Sequence, residues 1–371
     1  MDNSKSIFFN KLKNIPFSIP IFVSIICIYG FIVLYSAAGA SLEPWAYRQI
    51  VRFCFFMLLA FLIAFIDLRF IFKTSYLLYF IVILLLIAVN ISGINAKGAT
   101  RWVDLGLFRA QPSELAKIAV VLMLARYFHN MEANKLLELK HLLPAIIAVI
   151  IPAALIIKQP DLGTAIITLL VATTMFFAIG TRIIYFIISG ILLTISLPVI
   201  WYMMHEYQRR RVLTFLDPER DPLGAGYNII QSKIALGSGG LFGKGLFSGT
   251  QSHLSFLPEY QTDFIFSFLT EELGFVGGLV LIILYFIVVV NCLAVAINCR
   301  NIFSKLMVIG VTTIFFSHVI INIAMVMGLL PAVGVPLPLV SYGGTMMGSM
   351  LIGFGLIMNA AVNSQNSHKL S

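Results

Sequence analysis

Of the four carboxylates in the sequence SFLPEYQTDFIFSFLTEELG (255–274), three lie where a polar stretch of the chain gives way to an apolar one. Asp263 is at the boundary, and Glu271 and Glu272 follow about two helical turns later. A carboxylate beside an apolar region can act as a general base that takes a proton from an attacking hydroxyl group. Glu271 and Glu272 cannot both face the side of Asp263 on a regular helix. We therefore predict that Asp263 alone lies at the mouth of a site, and that the two glutamates have structural or partner-pairing roles.

Asp263 also has a purely structural explanation. Asp is a favoured N-cap residue of helices, and the apolar sequence FIFSF begins immediately after it. Residue type and position alone support a cap and a general base equally.

A second ionisable pair, Glu114 and Lys117, has the i, i+3 spacing that brings two side chains to one face of a helix. The pair lies at the start of an apolar segment. It either neutralises itself so that the segment can enter a membrane, or it lines a polar cavity and contacts substrate, as ionisable groups within membranes often do. Both interpretations stay open at this point.

Membrane-spanning helices must position these residues. Of 371 residues, 60% are hydrophobic and only 11% are charged, whereas soluble domains are about 25% charged. A helix of about 20 apolar residues spans a bilayer core. We predict an all-α polytopic integral membrane protein, one membrane domain over residues 1–371. Its ten spans are predicted at about 17–39, 49–67, 74–92, 112–129, 142–157, 161–180, 183–204, 264–296, 306–330 and 341–362.

The basic residues set the orientation of these spans. If the N-terminus is cytoplasmic, the inner segments carry about twice as many Lys and Arg residues as the short outer loops. Both termini are therefore predicted to be cytoplasmic. Topology explains much of the net charge of +9, so we predict no nucleic-acid partner. The cations that remain on the outer side suggest an anionic ligand there.

One long polar segment, residues 205–262, is predicted to form a large outer loop between the seventh and eighth spans. Loops of this length are uncommon unless they are functional. Residues 226–236 are expected to form a short amphipathic helix, and residues 237–249 are rich in glycine. Neither the P-loop nor the dinucleotide-binding pattern fits these glycines. They predict either a mobile loop that approaches a ligand closely or a flexible linker.

Three further outer segments combine Pro, Gly and polar residues: 96–118, 158–165 and 328–346. Non-helical backbone at membrane depth is tolerated only where it is buried in protein or lines a wet cavity. Together with the large loop, these segments predict a cavity that opens to the outer leaflet.

The motifs in these segments are long and specific. They read GATRWVDLG, QPSELAKI, QPDLGTA, GAGYNIIQSKIALGSGGLFGKG, GTQSHLSFLPEYQTDFIFSFLTEELGFVG and LPLVSYGG. Through them the chain strongly resembles the SEDS family of shape, elongation, division and sporulation proteins over nearly its whole length. The wording FLPEYQTDFIFS favours the rod-shape branch of the family over the division branch.

The resemblance implies a peptidoglycan glycosyltransferase of the bacterial cytoplasmic (inner) membrane. Such enzymes polymerise lipid II, a disaccharide-pentapeptide on undecaprenyl pyrophosphate, into glycan strands for cell elongation. They work with a class B penicillin-binding protein, which cross-links the peptides. The donor linkage is α and the product β in this family, so we expect inversion by direct displacement.

The resemblance also implies roles for individual residues. Asp263 matches the family's essential carboxylate, and Glu114 and Lys117 should be a cavity pair. Four residues are expected to line the cavity, and Glu259 is expected to position the loop before Asp263. The four are Arg101, Gln111, Asp161 and Ser341, of which Arg101 is the best candidate to offset pyrophosphate charge. The chain departs from the family at His318, where Gln is usual, and at Val333, where Thr is usual.

Two matters stay open in the sequence. A divalent cation, Mg²⁺ or Mn²⁺, could share in stabilising the pyrophosphate, although the carboxylates are scattered and form no ligand cluster. The alternative functions are a lipid II flippase and a non-catalytic scaffold of the elongation machinery. A flippase would need polar groups through the full membrane depth, whereas most of these lie on the outer side.

Overall fold

A computed structural model of the protein describes residue 12 and residues 14–92, 94–96, 99–104, 109–204, 206–220, 225–249 and 259–364. These residues contain twelve α-helices and two short 3₁₀ helices, Ala133–Leu137 and Pro218–Arg220. The α-helices are α1 (Ser18–Ala37), α2 (Ala46–Phe65), α3 (Leu68–Ser92), α4 (Pro112–His129), α5 (Leu139–Lys158), α6 (Leu162–Ala178), α7 (Ile183–Met203), α8 (Glu206–Leu216), α9 (Ala225–Ser238), α10 (Ile265–Asn298), α11 (Ile302–Val326) and α12 (Gly344–Val362).

The predicted all-α membrane architecture is confirmed, and each predicted span corresponds to one helix. Among the described residues, eight helices are long and apolar enough to cross a membrane. Of the other two, α6 is apolar but has only 17 residues, and α4 carries three charged side chains, Glu114, Lys117 and Arg126. The largest difference is at α3, which begins at Leu68 rather than at 74. The Asp67 carboxylate accepts a hydrogen bond from the backbone N–H of Arg69, which stabilises this earlier start.

Two of the segments that were predicted to lie on the outer side contain secondary structure that was not predicted. Three short strands, β1 (Ile94–Ala96), β2 (Ala99–Asp104) and β3 (Arg109–Ala110), form an antiparallel sheet in the order β1-β2-β3. Strands this short carry too few residues for a clear alternating pattern. In the large loop, α9 confirms the predicted amphipathic helix, whereas α8 was missed.

The centre of the bundle is formed by α4, α11 and α12. In α4, 14 of 18 residues are buried, and in α12, 15 of 19. Apolar residues on most sides of α12 suit this central position, because protein surrounds the helix. By contrast, α7 has no buried residue. The predicted site residues on α4 are therefore held by the most densely packed part of the fold.

Glycines allow α12 to pack closely along α2. A β-carbon on Gly348 would lie 2.6 Å from the Phe56 ring, and one on Gly355 would lie 2.8 Å from the Ala60 carbonyl oxygen. Small residues at such a contact let two membrane helices approach each other closely. The contact fixes the start of α12 beside the N-terminal half of α2.

Helix α10 is interrupted at Gly274, whose φ of 68° and ψ of −169° are not helical. This conformation is essentially restricted to glycine. The interruption separates residues 265–273, which we call the N-terminal half-helix, from the longer remainder of α10. Asp263 lies just before this half-helix, and Glu271 and Glu272 lie at its other end.

Candidate active site

Asp263 lies in a compact turn of residues 259–264, which we call the Asp263 turn. Glu259 has a positive φ of 59°. Its carbonyl oxygen accepts a hydrogen bond from the backbone N–H of Thr262 at 3.0 Å, and its carboxylate accepts one from the Thr262 hydroxyl at 3.1 Å. Glu259 thus contacts the turn that it was predicted to position. The N-cap position of α10 is Phe264, so the partly exposed Asp263 precedes the cap.

Aromatic rings hold the same turn from the side. The Tyr260 ring packs edge-on against Trp45 at 5.7 Å and stacks on Phe268 at 6.0 Å. Burial raises the pKa of Tyr260 above its ordinary value of 10.0. The phenol therefore stays protonated at neutral pH.

The irregular segment between α11 and α12, residues 327–343, forms the other side of the turn; we call it the connecting segment. The Asn322 side chain donates hydrogen bonds to the carbonyl oxygens of Asp263 at 2.8 Å and Val335 at 2.7 Å. A β-carbon on Gly334, whose φ is 72°, would lie 3.5 Å from Asp263 Oδ2. The backbone of the connecting segment therefore lies directly against the Asp263 carboxylate.

Ser341 was predicted to line the cavity, and the structure shows what it contacts. Its hydroxyl donates to the carbonyl oxygen of Thr262 at 2.6 Å and accepts from the N–H of Leu337 at 2.8 Å. The Gln49 side chain donates to the Ser341 carbonyl oxygen at 2.9 Å. Ser341 therefore joins the Asp263 turn to the connecting segment and to α2.

Glu114 and Lys117 form the predicted ion pair, with 2.9 Å between Oε1 and Nζ. Both are buried, at 4% and 1% exposure. The Ser349 hydroxyl donates to Glu114 Oε2 at 3.1 Å, and Lys117 Nζ lies 2.5 Å from His318 Nε2. His318 and Asn322 are one turn apart on α11, and Asn322 contacts Asp263. The buried Glu114–Lys117 pair therefore lies close to the Asp263 turn. Contact of the pair with substrate stays a prediction.

Asp161 joins the starts of α4 and α6. Its Oδ2 accepts hydrogen bonds from Gln111 Nε2 at 2.9 Å and from the Ser113 hydroxyl at 3.2 Å. Its Oδ1 caps α6 by accepting from the N–H of Thr164. Two predicted cavity liners, Gln111 and Asp161, are thus brought together. Gly163, two residues later, packs against Val335 of the connecting segment.

One predicted site residue is described only in its backbone, and three polar residues near the site were not predicted. Arg101 lies in β2, but its side chain is outside the described residues. Three polar residues within apolar helices were missed: Gln49, Arg52 and Asn322. The Arg52 guanidinium lies 5.0 Å from the Tyr342 ring centre and against Gly344 at the start of α12. Its Nη1 is buried without a hydrogen-bond partner among the described residues. Polar residues inside apolar runs were the available signal.

The glycine-rich segment 237–249 was predicted to be a mobile ligand loop or a flexible linker. Its first two residues end α9, and we call residues 239–249 the glycine-rich loop. β-Carbons on Gly239 and Gly243 would overlap the carbonyl oxygens of Thr270 and Glu272, respectively. The loop therefore packs directly on the end of the N-terminal half-helix. Lys244 Nζ also pairs with Glu271 Oε1 at 2.7 Å. The two glutamates whose partners the sequence could not identify are bound to this loop.

No group of three or more His, Cys, Asp or Glu side chains that could hold a metal ion occurs in the described part of the chain. These residues do not fit a protein-held divalent cation, so no chemical step is assigned to one.

Residues 17–366 match the protein family described as "Cell cycle protein", which comprises FtsW, RodA and SpoVE. The chain belongs to this SEDS family. A SEDS relative from Escherichia coli strain K12, "Peptidoglycan glycosyltransferase MrdB", is 43% identical over 357 residues, 96% of this chain and 95% of the relative.

Solved SEDS structures share the fold. A chain from "Structural coordination of polymerization and crosslinking by a peptidoglycan synthase complex" matches with a TM-score of 0.80 and 32% identity, covering 95% of this chain and 99% of that one. The Thermus thermophilus rod shape determining protein RodA matches with a TM-score of 0.71 and 28% identity, covering 95% and 98%.

Proposed function

We propose that Asp263 is the general base with which this chain, a peptidoglycan glycosyltransferase of the SEDS family, joins lipid II units into glycan strands. The observation that carries the proposal is the construction of the Asp263 turn. Asp263 is partly exposed, whereas the backbone of its turn is held by Asn322, Ser341 and Glu259. A base held in this way can meet the acceptor hydroxyl in a fixed orientation.

In the proposed reaction, the 4-hydroxyl oxygen of the acceptor sugar attacks the anomeric carbon of the donor. The new C–O bond forms as the bond from that carbon to the pyrophosphate oxygen breaks. Asp263 takes the hydroxyl proton, and undecaprenyl pyrophosphate leaves with the bonding electrons. Because pyrophosphate is a good leaving group, one carboxylate is enough for an inverting displacement.

The leaving pyrophosphate needs positive charge nearby. Arg52 supports this part of the proposal, because its guanidinium lies beside Tyr342, whose N–H donates to the Gln261 carbonyl oxygen in the Asp263 turn. Arg101 stays the second candidate. Lys117 is neutralised by Glu114, so we assign this pair, with Gln111 and Asp161, to the cavity wall rather than to pyrophosphate binding.

The cellular setting follows from the same proposal. The chain is a multi-pass membrane protein, and we place it in the bacterial cytoplasmic (inner) membrane with both termini cytoplasmic. Its partner is proposed to be a class B penicillin-binding protein of the elongation complex. The similar solved chain from a synthase complex that coordinates polymerisation with cross-linking supports this choice.

The proposal is tested with the purified protein in complex with its cognate penicillin-binding protein and labelled lipid II. Wild type is expected to yield glycan strands. Asp263→Asn, which keeps the shape and loses the base, should reduce the rate by about 10² to 10⁴-fold. Polymerisation by Asp263→Asn and Asp263→Ala at the wild-type rate would remove Asp263 from catalysis.

The rival functions are tested in proteoliposomes that contain labelled lipid II in one leaflet. Movement of lipid II to the other leaflet without polymer would support a flippase. Neither movement nor polymer, with partner binding intact, would support a scaffold.

A further inference from the structure

We propose that Lys244, Glu271 and Glu272 are positioning residues that hold the glycine-rich loop in the break of α10 and so fix the position of Asp263. The proposal rests on the proposed role of Asp263 as the base. It concerns the far end of the N-terminal half-helix, where no chemistry takes place.

The break at Gly274 leaves backbone groups without their helical partners, and the glycine-rich loop supplies new ones. Four backbone hydrogen bonds of 2.9 to 3.1 Å cross between the loop and the break. Buried backbone groups within a membrane must be paired in this way. The pairs, donor first, are Lys244 to Glu271, Gly245 to Glu272, Phe275 to Gly240 and Val276 to Leu241.

This docking requires glycine on both sides of the contact. A β-carbon on Gly274 would overlap the backbone nitrogen of Gly243, and one on Gly243 would overlap the carbonyl oxygen of Glu272. Both glycines also have positive φ values, 68° and 81°. The contact is therefore made backbone against backbone, and it has one geometry.

Charged side chains hold the loop in this geometry. Glu271 is fully buried and pairs with Lys244, whose side chain is 27% exposed, at 2.7 Å. Glu272 Oε1 accepts hydrogen bonds from the Ser36 hydroxyl at 2.7 Å and from the N–H of Phe247 at 2.9 Å. Since Ser36 is near the end of α1, Glu272 joins three parts of the chain: α1, the loop and the half-helix.

The half-helix connects this contact to the Asp263 turn. Residues 265–273 span about 13 Å at the rise of an α-helix. At the N-terminal end of the half-helix, the Asn322 side chain donates a hydrogen bond to the Asp263 carbonyl oxygen. Along the side, the hydroxyl groups of Ser267 and Ser232 lie 2.7 Å apart, and Ser232 also donates to the Val326 carbonyl oxygen. Release of the loop from the C-terminal end of the half-helix would let the half-helix shift. A shift of about 1 Å at a reacting group costs about 10²-fold in rate.

A merely structural role makes a different prediction from a positioning role. Buried ion pairs often contribute little net stability, although the loss of one partner leaves the other charge buried and destabilises the protein. If Lys244 and Glu271 only neutralise each other, the variant protein that stays folded should have the wild-type turnover. If they position Asp263, the folded variant should turn over slowly while it still binds lipid II.

The test measures kcat and KM for lipid II with the full chain in complex with its partner, on monodisperse protein. Lys244→Gln and Glu271→Gln should lower kcat about 10- to 100-fold with KM within about threefold of wild type. The conservative variant Lys244→Arg should keep most of the wild-type kcat. The matched control is Lys140→Gln, since Lys140 also pairs at 2.7 Å with Glu138 but both side chains are exposed.

Hydrogen exchange in the same variants gives a second readout that requires no activity. Lys244→Gln should speed amide exchange in residues 265–273 and leave α4 unchanged. Faster exchange confined to the loop, or a normal kcat in folded Lys244→Gln, would overturn the positioning role. A wild type that makes no polymer would instead overturn the proposed function, and the exchange measurement would still decide whether the loop holds the half-helix.

Discussion

The Asn322 side chain donates a hydrogen bond of 2.8 Å to the backbone carbonyl oxygen of Asp263. The same amide donates to Val335 at 2.7 Å, so one buried side chain holds the Asp263 turn against the connecting segment. The Asn322 amide group thus uses its donors, whereas its Oδ1 is buried without a hydrogen-bond partner among the described residues.

We expect Asn322→Asp to impair polymerisation strongly. An ionised carboxylate donates no hydrogen bond, and it would face two carbonyl oxygens that repel it. The loss of two buried hydrogen bonds should cost about 1–3 kcal/mol each in stability and lower kcat about 10-fold or more. Unfolding temperature and kcat are measured together, with Asn298→Asp as the control because Asn298 is exposed on α10. Equal activity of the two variants would contradict this role of Asn322.

The buried pair on α4 gives a prediction about stability. Lys117→Met leaves the Glu114 carboxylate buried without its cation, which should destabilise the protein by about 3–5 kcal/mol. The double variant Glu114→Gln with Lys117→Met removes both charges and should recover much of this loss. Thermal unfolding of the four proteins in one detergent gives the coupling energy. A double variant as unstable as the sum of the two single variants would show that the pair is not coupled.

His318→Gln introduces the residue that is usual in the family at this position. Its side-chain oxygen can accept a hydrogen bond from Lys117, as His318 Nε2 does at 2.5 Å. We expect polymerisation within about threefold of the wild-type rate. His318→Leu, which offers no acceptor to the buried ammonium group, is the contrasting variant and should lower the unfolding temperature. A strong loss of activity in His318→Gln alone would show that the imidazole itself is needed.

Gly243 in the glycine-rich loop and Gly237 near the end of α9 provide a matched pair of substitutions. Gly243→Ala should lower the unfolding temperature, because φ at this position is 81° and the β-carbon would overlap the Glu272 carbonyl oxygen. The backbone conformation alone costs about 1–2 kcal/mol for an L-residue. Gly237 has nothing within 4 Å of a β-carbon, so Gly237→Ala should be neutral or slightly stabilising. If both variants unfold at the same temperature, the loop is not docked as described.

The contrast between these glycines shows where prediction from the sequence stopped. Apolar runs predicted ten helices, and i, i+3 spacing predicted the Glu114–Lys117 pair, because both are local properties of a helix. The same composition of residues 237–249 suits a mobile loop and a backbone-to-backbone contact equally, since glycine lacks a β-carbon in both. Only the position of Gly274 opposite Gly243 distinguishes them.

Contacts between distant parts of the chain could likewise not be predicted from the sequence. Lys244 and Glu271 lie 27 residues apart, and Asn322 and Asp263 lie 59 apart. Periodicity gives the face of a helix and not the neighbour against which that face packs. Asp263 itself could be placed at a helix boundary, whereas the turn that holds it depends on Ser341 and Asn322 from the far end of the chain.

Arg52 provides the test of how the leaving pyrophosphate is stabilised. Its guanidinium is held against Tyr342 and the start of α12, and a helix N-terminus adds partial positive charge at the same place. Arg52→Gln removes a charge-assisted interaction of about 1.5–3 kcal/mol and should lower kcat/KM for lipid II about 10- to 100-fold. Arg52→Lys keeps the positive charge but loses the planar guanidinium group. Its kcat/KM should therefore fall between the values of wild type and Arg52→Gln.

Arg48 supplies the matched control, because it is exposed one turn earlier on the same helix. Arg48→Gln removes the same charge from α2 and should leave kcat/KM within about threefold of wild type. If Arg48→Gln and Arg52→Gln were equally impaired, the effect would come from the overall charge of this end of α2. If Arg52→Gln polymerised lipid II at the wild-type kcat/KM, Arg101 would be the candidate for pyrophosphate stabilisation. Arg101→Gln would then be expected to lower kcat/KM.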